Sequence, residues 1–142
     1  MNDIPTPAPG QTPPLDPAYV IFDEAVKRAP QAPCTDFMDK ITTYGEMGDL
    51  TRRAARGLQD LGVGKGDRVG VCLPNCPYYV VAYYAVLKTG AVVVNFNPLY
   101  TETEIRNQIK DSGITVMITI DVNAVYPKVA AAVADTTLET VV

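Results

Sequence analysis

The chain has 142 residues, of which 47% are apolar, so we expect one domain with a substantial hydrophobic core. Its 12 basic and 16 acidic residues give a net charge of −4, and the basic residues are not clustered, which argues against a nucleic-acid partner. The chain has no histidine and a single serine, Ser112, so it holds no Ser–His or Cys–His nucleophile pair.

The amino-terminal residues 1–15 are rich in proline, and we predict a disordered tail there. This segment has no apolar stretch of the length that a signal peptide or a membrane span requires. Three cysteines are an odd number, which disfavours a disulfide framework. We therefore expect no transmembrane segment and a cytoplasmic location, and we leave peripheral association with a membrane open.

Two short elements are predicted next. Asp16 and Pro17 are typical of the cap and first residue of a helix, and the apolar residues that follow recur at helical spacing. Residues 34–44 contain two short strand-like runs, which predict a β-hairpin that turns at Asp39 and Lys40.

A longer helix begins after the hairpin. Thr43 and Glu46 have the spacing of a capping box, and Gly62 is predicted to end the helix. The predicted inner face comprises Met47, Leu50, Ala54, Leu58 and Leu61.

Strands and helices then alternate. Residues 67–73, 91–96 and 114–120 are apolar runs, and residues 138–142 begin a fourth, with the strand starts 23 or 24 residues apart. The intervening helices are predicted to start at Pro77, at the Thr101 capping box and after Pro127, and the first of them is apolar enough to be buried. This pattern predicts an α/β fold with a mostly parallel sheet, the first three runs being central strands, and helices on both faces. Because the fourth run stops at Val142, we expect an open sheet edge, uncovered apolar surface and self-association into homo-oligomers.

The glycine-rich stretch from Gly62 to Val71 contains Lys65 and invites comparison with a phosphate-binding loop. Such a loop follows a strand and precedes a helix, whereas here a predicted helix comes first and a strand follows. A helix stop and turn is the favoured interpretation.

Five tyrosines could stack on an aromatic ligand, but their helical spacing favours packing: Tyr78, Tyr79, Tyr83, Tyr84 and Tyr100. Cys72 and Cys76 lack further ligands for a zinc site, so we expect core and loop roles for them.

Three polar residues follow predicted strands. Asn75, Asn97 and Asp121 occupy the positions that face the ligand crevice in an open α/β sheet, and they are also good turn formers. The structural role is favoured, and we assign no catalytic, cofactor-binding or metal residue.

Four motifs in order carry a family resemblance: ITTYGE, LGVGKGDRVGVCLPN, LKTGAVVVNFNPLYT with a following Glu, and Asp-Ser-Gly before a strand. Together they span about residues 41–120, and the stretch resembles the beginning of the fatty-acid and related acyl-coenzyme A ligases of the adenylate-forming superfamily. The resemblance implies that residues 16–142 are an incomplete N-terminal α/β domain of such an enzyme.

The resemblance also implies a reaction. Members join a carboxylic acid, here a fatty acid or a similar hydrophobic acid, to coenzyme A with ATP and magnesium, by way of an acyl adenylate. The family's Ser/Thr/Gly-rich phosphate loop, adenine segment, hinge aspartate and catalytic lysine have no counterpart in this chain. We therefore expect this part alone to bind none of these cofactors and to be inactive.

Several alternatives stay open. Aryl-acid ligases, luciferase-like oxygenases and peptide-synthetase adenylation domains begin similarly. A free-standing binding module of flavodoxin or dinucleotide type is a different class, but a dinucleotide module would carry G-x-G-x-x-G where this chain has PNCPYY. A non-enzymatic regulatory or assembly role is a further alternative.

Overall fold

The computed structural model describes residues 16–142, and the predicted tail at 1–15 lies outside them. The helices are α1 (Ala18–Arg28), α2 (Tyr44–Asp60), α3 (Pro77–Lys88), α4 (Glu102–Ser112) and α5 (Tyr126–Ala132), with a 3-10 turn at Val133–Asp135. The strands are β1 (Pro33–Phe37), β2 (Lys40–Thr43), β3 (Arg68–Cys72), β4 (Val92–Asn95), β5 (Val116–Thr119) and β6 (Thr140–Val141).

The main sheet is parallel and has the strand order β4-β3-β5-β6. The hairpin β1–β2 forms a separate antiparallel pair. All three apolar runs are strands, and the segment 138–142 contains β6, so the predicted α/β class with a parallel sheet is confirmed.

Helices lie on both faces of the sheet. Alternate side chains of a strand point to opposite faces, so each strand contributes to two separate layers of the core. On one face, Val69 and Val71 of β3 pack with buried residues of α2 and α3. On the other face, Cys72 and Met117 pack with buried residues of α4 and α5. Helices on both faces were predicted, and this prediction is confirmed.

The first helix is held against α2 and α3 by close packing and one ion pair. The Phe22 and Tyr84 rings stack with centroids 4.4 Å apart. Asp23 lies 2.5 Å from the Lys88 ammonium, which also lies 5.2 Å from the centre of the Tyr19 ring. These contacts join α1 to the helical layer over β3.

The two amino-terminal boundaries differ from the sequence prediction. Pro17 is the residue before α1 and not its first residue, because its ψ of 143° is extended. The hairpin turns at Met38 and Asp39 and not at Asp39 and Lys40, with φ of 52° and 63°. A two-residue hairpin turn of this kind needs positive φ at both positions, since its twist then matches that of the strands.

The inner face of α2 is rotated relative to the prediction. The buried residues are Met47, Gly48, Thr51, Ala55 and Leu58. Leu61, which the sequence placed on this face, is 54% exposed. Leu61 is the C-cap residue that follows the last helical residue, Asp60, so the helical spacing no longer fixes the direction of its side chain.

Two elements are less covered than their apolar sequences predicted. The run at 91–96 was expected to be a central strand, but β4 is an edge strand and Val92 is 50% exposed. The chain passes from β4 back across β3, so nothing within residues 16–142 pairs with the outer side of β4. Helix α3 is only partly buried: Ala82, Ala85 and Val86 are buried, whereas Tyr78 is 67% exposed.

Candidate functional site at the carboxyl edge of the sheet

The chain reverses direction around β3. It leaves β3 for β4 on one side and then crosses to β5 on the other side. In open parallel sheets, ligands bind outside the carboxyl ends of the strands near such a reversal. That reversal lies between β3 and β5. A cleft of about 650 Å³, which we call the carboxyl-edge cleft, lies beside it at the ends of β3 and β4 and is lined by residues 73–75, by Tyr79 of α3 and by residues 95–100.

One wall of the cleft is the loop from Asn97 to Tyr100, which is fixed by several hydrogen bonds. The Leu99 amide donates to Asn97 Oδ1 over 2.9 Å, and the Tyr100 amide donates to the Asn97 carbonyl over 3.0 Å. Lys128 of α5 donates from Nζ to the Pro98 carbonyl at 2.9 Å and to the Tyr100 carbonyl at 2.7 Å. These two hydrogen bonds from one ammonium group to backbone carbonyls stabilise the conformation of the loop.

The loop leads directly into α4 through a capping box. The Glu104 amide donates to Thr101 Oγ1 over 3.3 Å, and the Thr101 amide donates to Glu104 Oε2 over 2.8 Å. The Thr101 hydroxyl also donates to Glu104 Oε2 over 2.8 Å, and the hydrogen bonds that the amide and the hydroxyl of Thr101 donate to this carboxylate lower the pKa of Glu104. The predicted box at Thr43 and Glu46 is also present, so both predicted helix starts are confirmed.

The opposite wall is joined to the sheet by a side-chain network. The Tyr79 hydroxyl donates to Asn95 Oδ1 over 2.9 Å. Gln108 of α4 donates from Nε2 to the Asn95 carbonyl over 2.8 Å. The end of β4 is therefore tied to both the helix before it and the helix after it.

The lining of the cleft is mixed and carries no full charge. Three asparagines and two tyrosines line it together with apolar residues such as Leu73, Phe96 and Leu99. Among its lining residues in the described chain there is no carboxylate, ammonium or guanidinium group. Such a lining suits a ligand with hydrogen-bonding groups and little charge.

Two of the three predicted crevice residues come together here, since Asn75 and Asn97 both line the cleft. Asp121 is exposed and is not among the lining residues. The sequence did not single out Asn95, Gln108 or Lys128. Asn95 and Gln108 carry no motif signal, and Lys128 resembles an ordinary surface lysine on a helix.

The central tyrosines have different roles. The rings of Tyr79 and Tyr83, four residues apart on α3, stack with centroids 6.1 Å apart, in agreement with the packing that their helical spacing predicts. Tyr84 packs against Phe22 and Tyr83, and burial raises its pKa. Packing therefore accounts for these rings, while Tyr79 also reaches the cleft.

The cysteines and the glycine-rich turn behave as local structure. Cys72 is fully buried and burial raises the pKa of its thiol. Within residues 16–142 no three Cys, Asp or Glu side chains are grouped so as to hold a metal ion. Gly62 ends α2 with φ of 89°, and the Gly64 amide donates to Asp67 Oδ2 over 2.8 Å, so the predicted helix stop and turn is confirmed.

A second cavity, of about 460 Å³, lies beside the sheet on the face that carries α2 and α3. Its lining is almost wholly apolar and comes from Ala54, Gly57, Leu58 and Leu61 of α2 and its C-cap, Tyr78, Val81 and Ala82 of α3, and Leu73, Ile118, Thr119, Ile120 and Val142 at the sheet. Apolar side chains of β5 are thus open on this face.

The helices of the described segment were also compared with the dimensions of a bilayer. None of those in residues 16–142 combines the length and apolar character needed to cross a membrane.

Comparisons with known proteins agree on one family. Over 129 residues the chain is 40% identical to a long-chain-fatty-acid–CoA ligase of Bacillus subtilis, covering 89% of this chain and 22% of that protein. Over 119 residues it is 40% identical to 4-coumarate–CoA ligase 2 of Oryza sativa subsp. japonica, covering 77% of this chain and 21% of that protein. Among solved structures, a Mycobacterium tuberculosis fatty acyl CoA synthetase matches with a TM-score of 0.77 and 26% identity, over 87% of this chain and 25% of that one.

The chain thus spans about a fifth of the length of these curated relatives. The family model for AMP-binding enzymes matches residues 22–142, which is most of the chain. On this match, and in agreement with the resemblance seen in its motifs, the chain belongs to the AMP-binding enzyme family.

Proposed function

We propose that this chain supplies the N-terminal part of an ATP-dependent fatty-acid–CoA ligase that acts in the cytoplasm. In the overall reaction, the carboxylate of the acid attacks the α-phosphorus of ATP and releases diphosphate. The thiol of coenzyme A then attacks the acyl carbonyl and releases AMP. The observation that carries the proposal is the 40% identity to the Bacillus subtilis long-chain ligase, which extends over 89% of the chain.

An aryl-acid ligase is the second candidate, because the rice 4-coumarate ligase is equally similar over its aligned part. That similarity covers less of the chain than the similarity to the fatty-acid ligase. We therefore favour a fatty acid as the substrate.

Within such an enzyme, residues 16–142 act as an incomplete N-terminal α/β domain. The chain alone is expected to be inactive. Adenylation needs cations that neutralise the triphosphate and hydrogen-bond donors that are oriented toward it. Among residues 16–142, none of those that line the carboxyl-edge cleft is cationic. We expect diphosphate release with ATP, magnesium and a panel of fatty acids to stay at background.

A chimera tests the parent activity. Residues 16–142 would replace the matching segment of the Bacillus subtilis ligase, and acyl-CoA formation would be measured with palmitate and with 4-coumarate. We expect turnover with palmitate to be retained. A folded chimera that uses only 4-coumarate would contradict the fatty-acid assignment, and one that forms no adenylate with either acid would contradict the proposal.

We also propose that the chain self-associates through the apolar cavity, because exposed apolar surface of this kind is covered by contact with another surface. Sedimentation should show species larger than the monomer. Replacing Leu61, which lines the cavity and is 54% exposed, by glutamate should shift the chain toward monomer. The matched control Ile21→Glu, at a residue 72% exposed away from the cavity, should leave the distribution unchanged. Equal effects of the two variants would contradict this role of the cavity.

A further inference from the structure

We propose that the proline-rich residues 5–14 bind in an aromatic groove of the same chain, between α1, the hairpin and α3, and form a strap over α1. These residues lie outside the described range 16–142, and a bound strap departs from the expectation of a disordered tail. The proposal is independent of the substrate of the parent enzyme.

The groove consists of two neighbouring cavities along β1. One, of about 240 Å³, is lined by residues of α1, β1, α2 and α3. The other, of about 270 Å³, is lined by β1 and by the start of α3. Thr35 and Val80 line both cavities, so the two adjoin. We call this surface the aromatic groove, after the rings of Phe22, Tyr44 and Tyr84 in the first cavity and of Phe37 and Tyr79 in the second.

This lining matches the chemistry of a proline-rich segment. Such segments favour the extended polyproline II helix and bind in grooves lined by aromatic rings, at a low entropic cost because proline already restricts the chain. Five of the ten residues 5–14 are prolines. The first cavity also contains Ile21, an apolar side chain that is 72% exposed. Contact with a proline ring would remove this side chain from water, which is favourable.

A buried hydroxyl shared by the two cavities lacks a partner. Thr35 lines both of them, and its Oγ1 is buried without a hydrogen-bond partner in residues 16–142. Most buried polar side-chain atoms have such a partner. A polyproline II segment has no internal hydrogen bonds, so its carbonyl groups are free to accept them. A carbonyl of the strap would supply the acceptor that this hydroxyl lacks within the described residues.

The tail joins the described chain close to the groove. Pro17, the last residue before α1, has φ of −54° and ψ of 143°, which are near the values of polyproline II. Ile21 and Phe22 lie in the first five residues of α1, about 5 Å along the helix from its start. Ten residues of polyproline II span about 30 Å, whereas the five residues of β1 span about 17 Å. Residues 5–14 are therefore long enough to turn back and follow the groove.

Covalent linkage favours this tail over a separate partner. A segment tethered through a short linker has an effective concentration in the millimolar range, so even weak binding to the groove is well populated. Helix α1 is otherwise joined to α3 by the stack of Phe22 on Tyr84 and by the ion pair of Asp23 with Lys88. The strap adds a further contact that holds α1 in place.

Cys34 lines the first cavity, so its alkylation by iodoacetamide reports on the strap in the full chain. At an effective concentration of about 1 mM and a dissociation constant of about 0.1–0.5 mM, the strap should slow alkylation about three- to tenfold. Replacing the five tail prolines by glycine keeps the length and should remove this protection. Cys72 is buried in the core and reports on unfolding, so its rate should change much less. The replacements are Pro5→Gly, Pro7→Gly, Pro9→Gly, Pro13→Gly and Pro14→Gly.

Two further variants locate the contact. Ile21→Glu, in the groove, should itself speed the alkylation of Cys34, and the glycine replacements should then add little. Met38→Glu is the matched control, because Met38 is 84% exposed and lines neither cavity, and the glycine replacements should keep their full effect in it. Equal Cys34 rates with and without the tail prolines would overturn the proposal, as would glycine replacements that act equally in the Ile21→Glu and Met38→Glu backgrounds. Protection that disappears on dilution would assign the groove to the tail of a second copy and overturn the strap within one chain.

Discussion

Gly70 lies in the middle of β3, and its replacement by alanine should destabilise the fold. A Cβ at this position would lie 2.6 Å from Ile114 Cδ1 and 3.2 Å from both Met117 Cε and Phe96 Cε2. Ile114 and Met117 are fully buried, so neither can move away without disturbing the core. Overpacking of this kind costs about 1–3 kcal/mol, and the reduced entropy of the unfolded chain returns about 0.4–1 kcal/mol. We expect Gly70→Ala to lower the free energy of unfolding by about 1–2 kcal/mol.

Urea unfolding followed by circular dichroism measures this change, and two further variants make the test specific. Gly57→Ala is the matched control, because nothing lies within 4 Å of its Cβ position and it lies inside α2. It should stabilise the fold by about 0.5–1 kcal/mol. Ile114→Val removes the clashing Cδ1, so the double variant with Gly70→Ala should lose less stability than the sum of the two single changes. A Gly70→Ala protein as stable as Gly57→Ala, or strict additivity with Ile114→Val, would refute the reasoning.

Three further predictions concern a buried hydroxyl, a helix cap and the thiols. Thr51 is fully buried and its hydroxyl has no partner in residues 16–142, so Thr51→Val should raise the free energy of unfolding by about 1 kcal/mol in urea titrations. Hydrogen bonds from Thr101 lower the pKa of Glu104 from 4.5, so its stabilising effect is complete above that value and is lost as the pH falls through the lowered pKa of the folded state. Glu104→Gln should therefore unfold at lower urea than the parent chain at pH 7, with the difference shrinking under acid conditions. Burial raises the pKa of both the Cys34 and the Cys72 thiol, so their accessibility decides the rates: in the native chain, iodoacetamide should modify the fully buried Cys72 more slowly than the half-buried Cys34, and peptide mapping measures both rates.

Local signals in the sequence were sufficient for much of the fold. Thr43 with Glu46 and Thr101 with Glu104 form capping boxes through bonds that span three residues, so their spacing alone predicted both helix starts. Gly113 ends α4 at a φ of 65°, a left-handed conformation that glycine adopts without cost. The strand order was not predicted from the sequence, because it depends on the side of β3 to which each crossover returns.

The carboxyl-edge cleft likewise contains residues that the sequence could place and residues that only the tertiary structure could place. Asn75 and Asn97 could be placed at the carboxyl edge from the sequence, since they directly follow strands of a parallel sheet. The roles of Gln108 and Lys128 required the tertiary structure, because their partners lie 13 residues away in one case and 28 to 30 in the other.

The sequence by itself determined the two capping-box helix starts, the glycine stops, the three apolar strands, the α/β class and the family, because each rests on neighbouring residues or on an ordered set of motifs. Only the tertiary structure decided that β4 is an edge strand, that Leu61 faces an apolar cavity instead of the core, and that Asn75, Asn95 and Asn97 line one cleft. These features depend on how distant segments pack. Packing is set by the summed contacts of many residues, and no local pattern records it.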